Sequence, residues 1–141
     1  MSIGGVLTII AGSAILASGA EVRGTWSASS NSGLRIVGAW TAQPHPESGG
    51  ATGTWSLYDA AGKTIRQGGW SASKSPKEWS GAWRATITGQ TGEYSGTWTA
   101  ETPLSPDEPL AHMLESALRA VVSGTWTAGA NSGAWSIRAY P

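Results

Sequence analysis

Eight times along this chain a glycine is followed by one small residue and then a tryptophan. The phrases are Gly24-Thr25-Trp26, Gly38-Ala39-Trp40, Gly53-Thr54-Trp55, Gly68-Gly69-Trp70, Gly81-Ala82-Trp83, Gly96-Thr97-Trp98, Gly124-Thr125-Trp126 and Gly133-Ala134-Trp135. Only Trp79 stands outside the pattern. Successive side chains of a β-strand point to opposite faces. Each phrase therefore sets Gly and Trp on one face and a small residue on the other. Ala28, Leu57, Ala100 and Ala128 extend the Gly–Trp face, whereas Thr25, Ser27, Thr54, Ser56, Thr97, Thr99, Thr125 and Thr127 fill the opposite one. One apolar face backed by one face of short hydroxyls is the pattern of half-buried antiparallel strands.

Turn chemistry separates the phrases. Asn31-Ser32-Gly33, Asp59-Ala60-Ala61-Gly62, Ser73-Lys74-Ser75-Pro76, Gly89-Gln90-Thr91-Gly92 and Asn131-Ser132-Gly133 all read as turns, and residues 44–50 as a longer loop. The predicted strands cover about 22–29, 34–42, 51–58, 64–72, 78–88, 92–101, 121–129 and 133–140. An indole needs a flat place to lie, and a glycine on the adjacent strand provides bare backbone for it. A first hairpin centred on Ser32 sets Trp26 against Gly38 and Gly24 against Trp40. Trp40 and Trp135 differ in parity after the same Asn-Ser-Gly triplet, so a bulge is expected in one of the two hairpins.

One segment departs from this rhythm. Ser105-Pro106-Asp107-Glu108 has the form of a capping box with Pro in the first turn. Apolar residues then recur at three- and four-residue steps, which predicts an amphipathic helix over about 105–119 between strands six and seven. Its docking face is Leu110, Met113, Leu114 and Leu118. Eight meandering strands with one apolar face close most simply into an up-and-down barrel with a Trp-rich interior, the alternative being an open, strongly curved sheet.

The stretch from Ile3 to Leu16 is apolar and uncharged, and Ala17-Ser18-Gly19-Ala20 suits a cleavage site. Residues 1–20 are expected to be a signal peptide or an N-terminal membrane anchor carrying an apolar helix, with 21–141 as the barrel domain. This predicts export to a periplasmic or extracellular location, with membrane contact through residues 3–19.

Nine basic and nine acidic side chains cancel, so no net electrostatic footprint for nucleic acid is present. Cysteine is absent, which removes disulfides and thiolate chemistry. Phenylalanine is absent too, so the bulk of a core falls to the nine indoles.

Gly24-Thr25-Trp26 followed by Asn31-Ser32-Gly33 resembles the opening of the avidin family, and lipocalins carry a similar Gly-x-Trp in their first strand. The resemblance implies an eight-stranded up-and-down barrel. In avidins a ligand-binding Asn stands two residues after the first Trp, where this chain has Ala28, and the ligand-contacting Ser, Tyr and Asp set is not matched. Biotin binding is therefore not part of what the resemblance implies. The helix before strand seven also departs from lipocalins, whose helix follows the last strand.

His45 and His112 have no carboxylate or nucleophile at an obvious spacing, and no phosphate loop, nucleophile elbow or His-Glu-x-x-His is present. No catalytic, cofactor-binding or metal-ligating residue is assigned. Trp26, Trp55, Trp70, Trp98, Trp126 and Trp135 are read as structural core, and Trp79, Trp83 and Trp40 as candidates for ligand or partner contact. Two roles follow. One is a non-catalytic accessory or scaffold subunit attached to or near a membrane assembly, with a membrane protein or a second copy as partner. The other is a soluble exported barrel that binds a small ligand.

Overall fold

A computed structural model describes residues 21–141; the segment expected to be a leader or anchor, with its apolar helix, lies outside the described residues. Eight strands follow one another: β1 (Val22–Ser30), β2 (Arg35–His45), β3 (Gly50–Tyr58), β4 (Thr64–Ala72), β5 (Ser80–Ala85), β6 (Tyr94–Glu101), β7 (Val122–Ala128) and β8 (Asn131–Ala139). They form a closed barrel in sequence order, each pairing antiparallel with the next. β8 returns to pair with β1 from Gly24↔Ala139 to Ser30↔Gly133, which excludes the open sheet. A short helix α1 (Leu110–Ser116) stands between β6 and β7.

The repeated phrase sets the register. Four hairpins each contain two reciprocal Gly–Trp pairs. They are Trp26↔Gly38 with Gly24↔Trp40, Trp55↔Gly68 with Gly53↔Trp70, Trp83↔Gly96 with Gly81↔Trp98, and Trp126↔Gly133 with Gly124↔Trp135. Between hairpins, indole meets indole at Trp40↔Trp55 and Trp98↔Trp126. Cross-strand pairs on one face are the units that stabilise a sheet, and here the same unit recurs around the barrel.

The bulge expected in the first or last hairpin is not found. Pairing runs without a shift from Val22↔Ala42 to Ser29↔Arg35, and from Val122↔Ile137 to Ala128↔Asn131. The turns absorb the parity difference instead. The first is a wide loop in which the Ser30 N–H donates to the Leu34 carbonyl, with Gly33 at φ 90°. The last is a two-residue turn of Gly129 and Ala130, with Gly129 at φ 61°. Asn131-Ser132-Gly133, expected to be a turn, is therefore the first part of β8. The register irregularity lies at Leu57/Tyr58 in the β3–β4 hairpin.

The helix is shorter than predicted, and proline is the reason for its late start. Pro109 is its extended N-cap, at φ −72° and ψ 157°, and has no N–H to donate. A residue before proline is held out of the α region, so Glu108 ends a separate turn and α1 begins only at Leu110. Half of the expected capping box survives in that turn. Glu108 Oε2 accepts from the Ser105 N–H at 2.9 Å, while Ser105 Oγ donates to Asp107 Oδ1 at 2.7 Å.

His112 Nδ1 lies 2.8 Å from Glu108 Oε1. This hydrogen bond, reinforced by the Ser105 N–H, holds the Glu108 carboxyl below its ordinary pKa of 4.5. A carboxylate favoured by the fold contributes stability above its unfolded pKa and loses it as pH falls through the lower folded value. The melting temperature should therefore drop on acidification below about pH 4.5, and this component should shrink in His112→Ala, which keeps only the part due to the Ser105 N–H. Thermal melts of both proteins between pH 3 and 6 check this; parallel curves would remove the pair from the stability of the segment.

The core joins opposite walls. Trp40, Ala42, Ala51, Trp98, Leu110, Met113, Leu114, Ala117, Val122 and Ala139 form one buried cluster. β2 and β6 lie on opposite sides of the barrel, so a cluster containing both Trp40 and Trp98 spans the interior. The Gly–Trp–Ala face is thus the inner one. α1 closes one end, where Ala42, Ala51, Val122 and Ala139 surround Leu110, Met113 and Leu114. The Ala139 N–H donates to the Ala117 carbonyl at 2.9 Å and ties the helix to β8. The outer face carries hydroxyl pairs across strands: Thr41 with Thr54, Thr97 with Thr127, Thr99 with Thr125, and Ser27 with Ser136.

Candidate functional site

The indoles do more than fill space. Trp26 Nε1 donates to the carbonyls of Ala39 and Ser56, both at 3.0 Å. Trp55 donates to Gly69 and Thr86, Trp70 to Thr41 and Thr54, and Trp135 to Thr99 and Thr125. Trp40, Trp83, Trp98 and Trp126 each reach one carbonyl, of Thr25, Thr127, Ser73 and Ser29 respectively.

The glycines explain why those carbonyls are within reach. A Cβ on Gly38 would stand 1.8 Å from the Ser56 oxygen, and one on Gly96 1.7 Å from the Thr127 oxygen. The same close approach recurs at Gly53 with Thr41, Gly68 with Thr86, Gly81 with Ser73, Gly124 with Thr99 and Gly133 with Ser29. In these seven cases the carbonyl that crosses the glycine accepts a tryptophan N–H; at the eighth, Gly24 under the Arg138 oxygen at 1.8 Å, Trp40 donates to the Thr25 carbonyl instead. The unit is a bare glycine, a carbonyl leaning over it, and an indole that covers the first and satisfies the second.

The two sets of indoles alternate by strand. Trp40, Trp70, Trp98 and Trp135, from the even strands, are each followed two residues later by an inner residue at the α1 end: Ala42, Ala72, Ala100 and Ile137. Trp26, Trp55, Trp83 and Trp126, from the odd strands, point the sequence the other way, toward Ala28, Leu57, Ala85 and Ala128. All four odd-strand indoles are half-buried. The inner register at that far end also carries Arg66 and Tyr94, opposite Leu57 and Ala85, and Tyr94 is 55% exposed.

Trp26, Trp70 and Trp135 pack against the buried cluster, Trp98 belongs to it, and Trp55 and Trp126 lie toward the far end. Of the three tryptophans considered for contact, Trp40 is only 6% exposed and sits in the core because it covers Gly24 beside the closed end. Trp83 is half-buried over Gly96. Trp79 Nε1 donates to the carbonyls of Leu104 and Ser105, and Lys74 Nζ lies 4.4 Å from its ring centre and donates to Pro106 O. Trp79 and Lys74 thus fasten the segment that leads from β6 to α1. On the helix, Leu110, Met113 and Leu114 are buried; Leu118, expected on the same face, lies beyond the end of α1 and is 36% exposed.

Among the described residues no group of three or more His, Asp or Glu side chains is placed to hold a metal ion. His45 Nε2 is 2.8 Å from Thr52 Oγ1, and its other nitrogen is 3.9 Å from Glu47. His112 is engaged with Glu108. Residues that only the three-dimensional register brings forward are Arg66 and Tyr94 at the far end, and Arg23, Arg138 and Tyr140 on the outer wall. Their signal is the cross-strand pairing, which a linear motif search does not see. Comparison with protein-family models, with curated proteins and with solved structures finds no match to this chain.

Proposed function

We propose that this protein is a non-catalytic exported scaffold domain, held at a membrane assembly through its N-terminal segment. One observation carries the reading. Each indole N–H is committed to a backbone carbonyl of its own fold, so the aromatic inventory is used to make a rigid barrel. A rigid barrel closed at one end by a helix supports a holding role, in which a partner meets the outer surface. Fractionation of cells producing the full-length chain tests it. Detergent-dependent extraction with Met1 intact, together with co-purification of a membrane protein or a second copy, is expected. Recovery in the water-soluble fraction with Glu21 as the first residue overturns the anchored role.

A second reading has its own support. The half-buried odd-strand indoles, Trp26, Trp55, Trp83 and Trp126, lie toward the end away from α1. An apolar site rimmed by a few polar groups is the usual form of a small-ligand pocket. On this reading Trp fluorescence shifts on ligand addition, and Tyr94→Ala or Arg66→Ala reduces the shift.

A further inference from the structure

The neutral total charge conceals a segregation. The charged residues within the eight strands are Arg23, Arg35, Arg66, Arg84 and Arg138, against Glu101 alone. The remaining acids lie outside the strands: Glu21, Glu47, Asp59, Glu78, Glu93, Asp107, Glu108 and Glu115. β8, β1, β2 and β3 are neighbours in the barrel and contain no carboxylate side chain.

On this part of the wall the register builds rows of outward side chains. Ser136, Ser27, Val37 and Tyr58 form one row, and Arg138, Thr25, Ala39 and Ser56 the next. In the third, the Tyr140 N–H donates to the Arg23 carbonyl, Arg23 pairs with Thr41, and Thr41 Oγ1 meets Thr54 Oγ1 at 2.7 Å. Short side chains between taller ones leave two open grooves across the strands, of about 510 and 350 Å³. The larger is lined by Arg23, Tyr140, Thr41, Thr54 and Gln67 together with Trp40 and Trp55, and the smaller by Arg138, Tyr58, Ser27 and Ser136 together with Trp26 and Val37. No carboxylate side chain lines either groove, and among the described residues neither arginine is in an ion pair.

We infer that this wall binds an acidic polysaccharide, with Arg23 and Arg138 each taking a uronate carboxylate. The planar guanidinium matches a carboxylate with two parallel hydrogen bonds. Arg23 and Arg138 are diagonal neighbours on adjacent strands, with Cα atoms about 7–8 Å apart, and their long side chains reach well beyond that spacing. Hydroxyls at Thr41, Thr54, Ser27 and Ser136 and the amide of Gln67 suit the hydroxyls of a sugar ring. Tyr140, half exposed, offers a flat apolar surface to the ring's C–H face. Shallow grooves open along their length fit a chain better than an enclosed small molecule.

The experiment titrates the purified full-length chain with polygalacturonate by isothermal calorimetry, with dextran as the neutral control. Binding to polygalacturonate that weakens with added salt, and none to dextran, is expected. Arg23→Gln with Arg138→Gln should weaken it by at least tenfold, while the near-ultraviolet signal of the tryptophans shows the barrel intact. Arg35→Gln, on the same wall but outside both grooves, should leave it unchanged. Equal binding to dextran overturns the inference, as does polygalacturonate affinity unaltered by the double substitution. So does arginine-dependent binding to phosphatidylglycerol vesicles without binding to the polysaccharide. None of these results bears on whether the chain is anchored, which the fractionation measures separately.

Discussion

Replacing Gly68 by alanine should destabilise the barrel by several kcal/mol, while the same substitution at its neighbour Gly69 should leave it as stable or slightly more so. The two residues differ only in the face they present. A Cβ on Gly68 would stand 1.8 Å from the Thr86 carbonyl oxygen and 2.8 Å from its carbon. Both atoms are backbone, and the oxygen also accepts the Trp55 N–H at 3.1 Å. Making room means moving a strand and breaking that bond. Overpacking a tight interior costs about 1–3 kcal/mol, and loss of the exposed Trp55 hydrogen bond about 0.5–1.5 more. At Gly69 the nearest atoms are 3.6 Å away, an ordinary contact. Alanine there reduces the freedom of the unfolded chain and should contribute about 0.4–1 kcal/mol of stability. Urea unfolding of both variants, followed by Trp fluorescence, measures the difference. Equal losses would mean that the inner glycine is a matter of strand propensity and not of the carbonyl that leans over it.

That contrast also shows what the sequence made legible. The Gly-x-Trp spacing carries parity, and parity assigns an inner and an outer face to every strand. It also sets the reciprocal Trp26–Gly38 and Gly24–Trp40 pairs, because only one register lays both rings over bare backbone. Turn geometry was less legible. Asn31-Ser32-Gly33 and Asn131-Ser132-Gly133 are the same three residues, yet one is a turn and the other opens a strand. The local residues permit both states, and the demand that Trp126 face Gly133 and Trp135 face Gly124 decides between them. The helix between β6 and β7 is legible in its apolar spacing but its start is not, because Ser105 and Glu108 form their hydrogen bond in a turn that Pro109 then ends. The outer grooves were not legible in the linear sequence. Arg23 and Arg138 are far apart in the chain and become neighbours only when β8 closes on β1. The barrel architecture alone does not carry a ligand.

Trp98→Ala should cost about 3–5 kcal/mol, the range for deleting a buried aromatic side chain. Trp98 is 7% exposed and belongs to the cluster that joins β6 to α1 and to the far wall at Trp40. Its removal would leave a cavity that the surrounding Gly and Ala side chains are too small to fill, and would uncover Gly81 opposite it. Trp98→Phe separates the two parts of the effect. Phenylalanine keeps most of the apolar contact but cannot donate to the Ser73 carbonyl, which now receives the indole N–H at 3.0 Å. Part of the cost should therefore persist in Trp98→Phe, about 1–3 kcal/mol for the carbonyl left without its partner. Trp55 makes the informative comparison, since it is half-buried, lies outside the central cluster and reaches two carbonyls, of Gly69 and Thr86. Trp55→Ala should cost less than Trp98→Ala in packing. Trp55→Phe should recover a smaller fraction of its loss than Trp98→Phe does, because more of that ring's contribution is polar. Chemical denaturation of the four variants decides this. If Trp98→Ala loses less than about 1 kcal/mol, the ring is not core; if both phenylalanine variants match the parent, the indole N–H groups do not hold the leaning carbonyls in place.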